Sequence, residues 1–166
     1  AELAIALPPD WKLDEESLKD ERWYWPIGLL KVLARLPISS NTWLGFGHTM
    51  DKQSPFAEDT ELCAALLVGP QDVVWNGGEV CTLPSGEEVN FYQVIPLYRN
   101  EMEYKMEHDA DALLKKMAGI SFVVNPTRQN AITRGTLAEE EFTGDMDDAA
   151  WHLESIQEKG LPVNEI

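Results

Sequence analysis

The sequence predicts an α+β fold, with a mixed, largely antiparallel sheet packed with helices on at least one face. Segments with strand patterns and segments with helix patterns alternate irregularly, which favours this class over a regular parallel α/β fold. One short turn joins two strand-like segments, and so short a connection requires antiparallel pairing. The length of 166 residues suits one domain with a sizeable core. We therefore expect residues 1–166 to form a single domain.

The first predicted elements are a strand and a long helix. Residues 3–7 are apolar and are predicted to form a strand, which two prolines end. An acidic loop or short helix follows. A helix is predicted from about Trp25, because Pro26 suits a first helical turn, and Pro37 is expected to end it. One stripe of this helix is apolar, as packing on a sheet requires: Ile27, Leu30, Leu33 and Ala34.

Four strands are predicted in the middle of the chain. Residues 42–50 contain β-favouring side chains punctuated by two glycines. Residues 62–68 are almost wholly apolar, as in a strand that is buried on both faces. Residues 79–83 and 89–95 flank the sequence Leu-Pro-Ser-Gly, which is typical of a type I turn. The last two strands are therefore expected to form an antiparallel hairpin.

A second helix is predicted over residues 101–117. Glu101 and Lys105 are spaced for an ion pair across one helical turn. His108 and Asp109 are expected to interrupt or kink the helix. Its second half then supplies the apolar residues of the buried side: Leu113, Leu114 and Met117.

The chain is strongly acidic, with a formal net charge of −16. Residues 137–166, the acidic extension, contain nine acidic residues and one lysine, so they carry half of this charge. Within this extension an amphipathic helix is predicted over residues 145–159. A short strand is predicted before the extension, over residues 121–124. An acidic surface repels nucleic acids and anionic lipids and attracts basic proteins. The charge favours a basic protein partner over nucleic acid or a membrane, unless it serves solubility alone.

The two cysteines, Cys63 and Cys81, lie in apolar, strand-like segments, which predicts buried free thiols. The sequence neither establishes nor excludes a disulfide between them, because it does not show whether the two residues are close in space. Neither has the spacing of a metal or redox motif. Free thiols are usual in cytosolic proteins. The apolar start of the chain lacks the basic region of a signal peptide. No apolar stretch approaches the ~20 residues that a membrane-spanning helix needs. We expect a soluble cytoplasmic protein.

No motif for catalysis, a cofactor or a metal is found in the sequence. The two closely spaced glycines before His48 lack the rest of a phosphate-binding motif. Asp51, Glu58 and Asp59 follow His48, but a metal site requires three or four convergent ligands, which this spacing does not establish. The sequence therefore predicts no catalytic residue, no metal and no cofactor. An enzyme with a site around His48 is kept as an alternative hypothesis.

Aromatic residues near His48 are candidates for protein binding, because aromatic side chains often dominate interfaces. Trp43 and Phe46 lie in the predicted strand over residues 42–50, where burial in the core is the commoner outcome. An exposed Trp43 beside His48 would instead indicate an interface. The complete set of candidate partner-binding residues also includes acidic side chains: Trp43, Phe46, His48, Asp51, Asp145 and Asp148.

Four segments match a known family in order and spacing across residues 1 to about 130. They are Glu2-Leu3 with Leu7-Pro8-Pro9-Asp10-Trp11, Trp25-Pro26-Ile27 through Pro37, Thr42-Trp43-Leu44-Gly45 through Thr49, and Asn90-Phe91-Tyr92 through Lys105. Together they resemble the suppressor of fused-like family as it occurs in bacteria.

The resemblance implies an α+β domain that works by protein recognition rather than catalysis. Animal members bind and restrain a zinc-finger transcription factor, and bacterial members resemble immunity proteins that neutralise secreted polymorphic toxins. We accordingly expect an immunity protein that binds a basic toxin domain. The family domain usually extends further upstream, so the chain is expected to be truncated at its N-terminus. Truncation would expose a sheet edge, and a homodimer or scaffold is a further alternative.

Overall fold

One long central strand organises the sheet of this protein. The computed structural model describes residues 1–70 and 80–134, and most of these belong to one folded unit, Ala1–Ala131. A short 3₁₀ turn, Ser17–Lys19, precedes the first helix. The other elements, in chain order, are β1 Glu2–Ala4, α1 Glu21–Ser39, β2 Thr49–Asp51, β3 Ala64–Val68, β4 Val80–Thr82, β5 Glu88–Leu97, α2 Arg99–Glu107 and α3 Ala110–Lys116.

The central strand is β5, which pairs with β1, β3 and β4 along its length. β3 runs antiparallel to it, from Ala64 opposite Leu97 to Val68 opposite Gln93. β4 is also antiparallel to β5, whereas β1 is parallel to it. β2 pairs antiparallel with β3, which gives the order β1-β5-β3-β2. The predicted α+β class and the mixed, largely antiparallel sheet are confirmed.

Helices cover both faces of the sheet. Ala65 and Leu67 of β3 pack against α1 in one hydrophobic cluster. The intervening residues of β3 are also buried and lie on the opposite face, where α2 contacts this strand. Burial on both faces explains the uninterrupted apolar sequence of β3, as predicted. The largest fully buried side chains come from the sheet and from the helices and include Trp25, Leu33, Leu66, Ile95 and Leu113.

The first helix is longer than predicted at both ends. It begins early because the Asp20 carboxylate accepts a hydrogen bond from the Arg22 amide at 3.0 Å and caps the first turn. Pro26 and Pro37 lie inside the helix, which continues past the second proline to Ser39. Each proline removes one backbone hydrogen bond. Burial of the apolar side of α1 against the sheet outweighs that loss.

Three predicted strands are much shorter than expected or absent. β1 ends at Ala4, earlier than predicted. β2 begins only at Thr49, well after its predicted start. Residues 121–124 form no strand, although the Val124 amide donates to the Ala6 carbonyl at 2.8 Å. The apolar side chains outside the strands instead pack against the α1 cluster as irregular chain: Ile5, Leu7, Leu44 and Val124.

The predicted hairpin and the predicted helix break are confirmed. β4 and β5 pair across a turn in which the Gly86 amide donates to the Leu83 carbonyl at 2.8 Å. α2 and α3 are separated by His108 and Asp109. The Asp109 carboxylate caps α3 by accepting a hydrogen bond from the Ala112 amide at 2.7 Å.

A buried ion pair joins α2 to the chain that follows α3. Glu101 is fully buried, and its carboxylate accepts two hydrogen bonds from the Arg128 guanidinium, at 2.8 and 2.5 Å. The amides of Tyr98 and Ala131 donate two more, at 2.9 and 2.8 Å. The predicted ion pair between Glu101 and Lys105 is wrong, because the carboxylate points inward to these four donors.

Both cysteines are free thiols. Cys63 is buried as predicted, and burial raises the pKa of its thiol. Cys81 is exposed, contrary to the prediction, because every residue of β4 faces solvent. No helix in the described part of the chain is long and apolar enough to span a membrane.

The acidic extension, residues 137–166, lies outside the described residues. The helix over residues 145–159 therefore stays a prediction from the sequence. The same holds for the expectation that residues 1–166 form a single domain, because the unit described in detail ends at Ala131.

Replacing Glu101 tests how much the buried ion pair stabilises the fold. We expect Glu101→Gln to lower the free energy of unfolding by about 3–5 kcal/mol, because it leaves the Arg128 charge buried without its partner. The matched control is Glu103→Gln, an exposed position on the same helix, which should change stability by less than about 0.5 kcal/mol. Urea unfolding measures both variants. A loss below about 1 kcal/mol for Glu101→Gln would contradict this role.

Candidate functional site

The loop that precedes β2, residues 42–48, carries three of the predicted site residues at the edge of the sheet. We call it the aromatic loop. The Gly47 amide donates to the Leu67 carbonyl at 2.8 Å, and the His48 carbonyl accepts from the Leu67 amide at 2.9 Å. These two hydrogen bonds to β3 fix the end of the loop just before β2 begins.

The geometry of the aromatic loop requires its two glycines. Gly47 has a φ of +77°, a left-handed conformation that favours glycine. It also lies against α3, where an added Cβ would be 3.4 Å from the Cβ of Ala110. At Gly45 an added Cβ would collide with the ring of Trp43. The glycines therefore bend the backbone and leave space for the Trp43 ring.

The aromatic side chains of this loop face solvent. Trp43 is 69% exposed and Phe46 is 51% exposed. The rings of Trp43 and His48 contact each other, with centroids 4.4 Å apart and planes tilted by 55°. The expectation that Trp43 is buried is wrong, because β2 starts after the loop and the ring is not part of a strand. Trp43 is therefore an exposed side chain beside His48.

An apolar groove of about 440 Å³ lies beside Trp43. α1, β1 and the aromatic loop form its walls, with these side chains among the lining: Leu3, Leu30, Ala34, Trp43 and Leu44. Because Trp43 belongs to both the loop and the groove, one bound side chain could contact the ring and the groove together.

Asp51, the last residue of β2, pairs with a side chain of α2. The Asp51 carboxylate accepts a hydrogen bond from the Arg99 guanidinium at 2.6 Å. This bond holds the pKa of Asp51 below its ordinary value and raises the pKa of Arg99. The structure therefore brings Trp43 and His48 together, and it directs Asp51 to a different partner.

Sequence reasoning missed two residues of this sheet edge, Arg99 and Met106. Met106 is 66% exposed, and its sulfur accepts a hydrogen bond from the Thr49 hydroxyl at 3.7 Å. Both residues lie in α2, about fifty residues after β2 in the chain. An exposed methionine on a helix is a weak sequence signal, and nothing local to Asp51 points to Arg99.

The carboxylates that follow His48 in sequence do not gather around it. Glu58 lies 3.9 Å from Arg22, and Asp59 lines a separate cleft. Within residues 1–70 and 80–134, no group of three or more His, Cys, Asp or Glu side chains is arranged to hold a metal. Among the described residues, Glu58 and Asp59 therefore do not supply the convergent carboxylates that the hypothesis of an enzyme around His48 names. Two other predicted site residues lie outside the described residues: Asp145 and Asp148.

The amino-acid sequence matches the family model of suppressor of fused protein (SUFU) over residues 1–129. The match covers 129 of the 166 residues and includes every strand and helix described above. The chain belongs to the suppressor of fused family. This confirms the resemblance that the four sequence segments carry.

Solved structures of suppressor of fused proteins share this fold. The Drosophila protein matches with a TM-score of 0.58 and 16% identity, over 99% of this chain and 40% of that one. A chain from a Sufu–Fu complex matches with a TM-score of 0.54 and 19% identity, over 66% and 46% of the two chains. A homologue from Neisseria gonorrhoeae gives a TM-score of 0.48 and 19% identity, over 64% and 56%.

The likeness to these suppressor of fused structures concerns the fold. This chain spans between 40% and 56% of the length of those chains, so it corresponds to part of each. No curated protein matches the sequence significantly. The binding properties of this suppressor of fused chain must therefore be argued from its own residues.

The ion pair of Asp51 with Arg99 predicts a measurable pKa difference. Since the folded pKa of Asp51 is depressed, the pair stabilises the fold above the unfolded pKa, and the stabilisation is lost as pH falls through the folded value. We expect Arg99→Gln to raise the Asp51 pKa toward its ordinary value in an NMR titration of the carboxyl group. Lys105→Gln, on the same helix, is the control and should leave it unchanged. Equal Asp51 pKa values in the wild type and Arg99→Gln would refute the pairing.

Proposed function

We propose that this suppressor of fused domain is a non-catalytic module that binds another protein through the aromatic loop and the adjoining groove. The partner is a basic protein. In the cell the domain acts as an immunity protein that neutralises a basic polymorphic toxin domain. The exposure of the Trp43 ring is the observation that carries the binding proposal. The free thiols of Cys63 and Cys81 support a cytoplasmic location.

The Trp43 ring has the properties of an interface anchor. Tryptophan is among the residues most enriched at binding hot spots, because it buries a large apolar surface on contact. A single exposed apolar residue needs no explanation. Here, however, Trp43 forms a wall of an apolar groove and shares its loop with the exposed Phe46. Together these features form an apolar surface that a partner can cover.

The distribution of charge supports a basic partner. The aromatic loop itself contains no Asp, Glu, Lys or Arg, whereas the chain as a whole has a net charge of −16. A negative field attracts a basic protein from a distance and speeds its association. The uncharged loop then provides apolar contact without the cost of burying an unpaired charge.

The immunity role rests on the resemblance to bacterial family members and on this charge. Toxins that act on nucleic acids carry basic surfaces that contact phosphates. An acidic protein complementary to such a surface would block access to the substrate. One solved relative was crystallised as a Sufu–Fu complex, which supports protein recognition as the mode of action here.

A scaffold or homodimer is a second candidate, and the outer edge of β2 favours it. Among the described residues β2 pairs only with β3, and an unpaired strand edge can accept a strand from a second copy. β2 is only three residues long, which limits how many hydrogen bonds such pairing provides. Light scattering over a wide concentration range tests it. A mass that rises to that of a dimer supports the pairing, and a constant monomer mass rules it out.

Trp43→Ala is the direct test of the proposed interface. The wild-type domain should capture one basic protein from a lysate of its source organism, with less captured at high salt because screening weakens the attraction. With that protein purified, we expect Trp43→Ala to raise Kd by about 30-fold or more, as truncation of a hot-spot residue costs about 2 kcal/mol or more. Leu13→Ala, at another exposed apolar position, should leave Kd unchanged.

Two results would count against the proposal. Capture of only chaperones and ribosomal proteins would show that the domain has no specific partner in the lysate. Equal affinity of the wild type and Trp43→Ala for the captured protein would show that the aromatic loop is not part of the interface. The immunity role has its own test, in which the captured protein is expressed with and without this domain. Growth arrest that the domain relieves supports immunity, and a harmless captured protein contradicts it.

A further inference from the structure

A second cleft lies apart from the aromatic loop and shares no lining residue with the groove beside Trp43. It has a volume of about 490 Å³ and opens between residues 8–11, the start of α1 and residues 121–126. Its lining combines two indole rings with charged side chains: Trp11, Trp23, Asp10, Asp59 and Arg22. We call it the tryptophan cleft.

The aromatic wall of the tryptophan cleft is held in place. The indole N–H of Trp11 donates to the Trp23 carbonyl at 3.0 Å, and the two rings meet edge to face with centroids 5.2 Å apart. Trp11 also contacts the buried Trp25 ring at 6.2 Å, which ties the wall to the core. The cleft is therefore preformed, which lowers the entropy lost when a ligand binds.

The carboxylates that line the cleft outnumber its cations. Neither Asp10 nor Asp59 forms a hydrogen bond or ion pair with any other described residue. The cation in the lining, Arg22, already binds the Asp20 carboxylate at 2.5 Å and lies 3.9 Å from Glu58. Arg22 also interacts electrostatically with Asp59, so its single charge is shared among three carboxylates and the cleft keeps an excess of negative charge.

The Trp23 ring already attracts a cation within this chain. The ammonium group of Lys12 lies 5.2 Å from the centre of the ring. Cations are drawn to the negative face of an indole, and a planar guanidinium both stacks on the ring and binds a carboxylate through two donors. Indole faces beside carboxylates therefore match a guanidinium better than a neutral side chain or an ammonium group.

We propose that the tryptophan cleft binds the guanidinium of an arginine side chain presented by a partner protein. The indoles of Trp11 and Trp23 provide the stacking surface, and Asp10 and Asp59 accept its hydrogen bonds. The strongly acidic chain attracts such a side chain. This inference stands apart from the proposed function, because the cleft and the aromatic loop have no residue in common.

The test uses three blocked tripeptides, acetyl-Gly-X-Gly-amide, in which X is arginine, lysine or citrulline. Each is titrated into the full chain while the indole N–H signals of Trp11 and Trp23 are followed by NMR. We expect saturable shifts of both signals with the arginine peptide, weaker binding of the lysine peptide and no binding of the uncharged citrulline peptide. Equal binding of citrulline and arginine peptides, or the absence of a saturable shift, would overturn the proposal.

Conservative variants locate the binding site. We expect Asp10→Asn and Asp59→Asn each to weaken binding of the arginine peptide by up to about fivefold, the range for one solvent-exposed charge pair. Glu103→Gln makes the same change in net charge at a distant exposed position and should leave binding unchanged. An equal effect of all three variants on peptide binding would reveal a nonspecific effect of net charge and would refute binding of the peptide in the tryptophan cleft. Trp43→Ala should bind the peptide normally, so this result is independent of the aromatic loop.

Discussion

The buried contact between Glu101 and Arg128 is the constraint on which both candidate surfaces depend. Arg128 also donates to the Pro96 carbonyl at 2.9 Å and stacks over Tyr98, whose hydroxyl donates to the Arg128 carbonyl at 2.6 Å. The end of β5, the start of α2 and the chain after α3 are thereby joined at one point. Residues 121–126, which form one wall of the tryptophan cleft, lie just before Arg128. On the other side, α2 reaches β2 through the bond from Arg99 to Asp51 and through Met106.

The elements that sequence predicted well are those whose signals are local. β3 is a run of apolar residues because both of its faces are covered. The hairpin of β4 and β5 forms around a short turn that has a glycine at position 86. The ion pair of Glu101 could not be predicted in this way, since its partner lies 27 residues away and Lys105 offers a nearer and equally plausible charge. The aromatic loop was mistaken for a strand because its side chains favour β structure, whereas its two glycines and their backbone geometry do not.

Part of the candidate site followed from sequence, and part depended on the fold. Trp43, Phe46 and His48 are close in sequence, so any loop would keep them together. Asp51 is only three residues from His48 in the sequence, but its carboxylate pairs with Arg99 of α2, which no local pattern indicates. The tryptophan cleft was not predicted, because its lining comes from four separate segments of the chain that only the fold brings together.

The proposed role of Trp43 in recognition agrees with the small contribution that its exposed ring makes to the stability of the fold. An apolar side chain stabilises a protein in proportion to the area that it removes from water, and this ring leaves most of its area in water. Yet the ring has neighbours on two sides, since it lies over Gly45 and its centroid is 4.4 Å from that of His48. A large side chain that is exposed and already held in one orientation loses little conformational entropy when a partner covers it. Such pre-orientation is what the proposed role of Trp43 in binding requires.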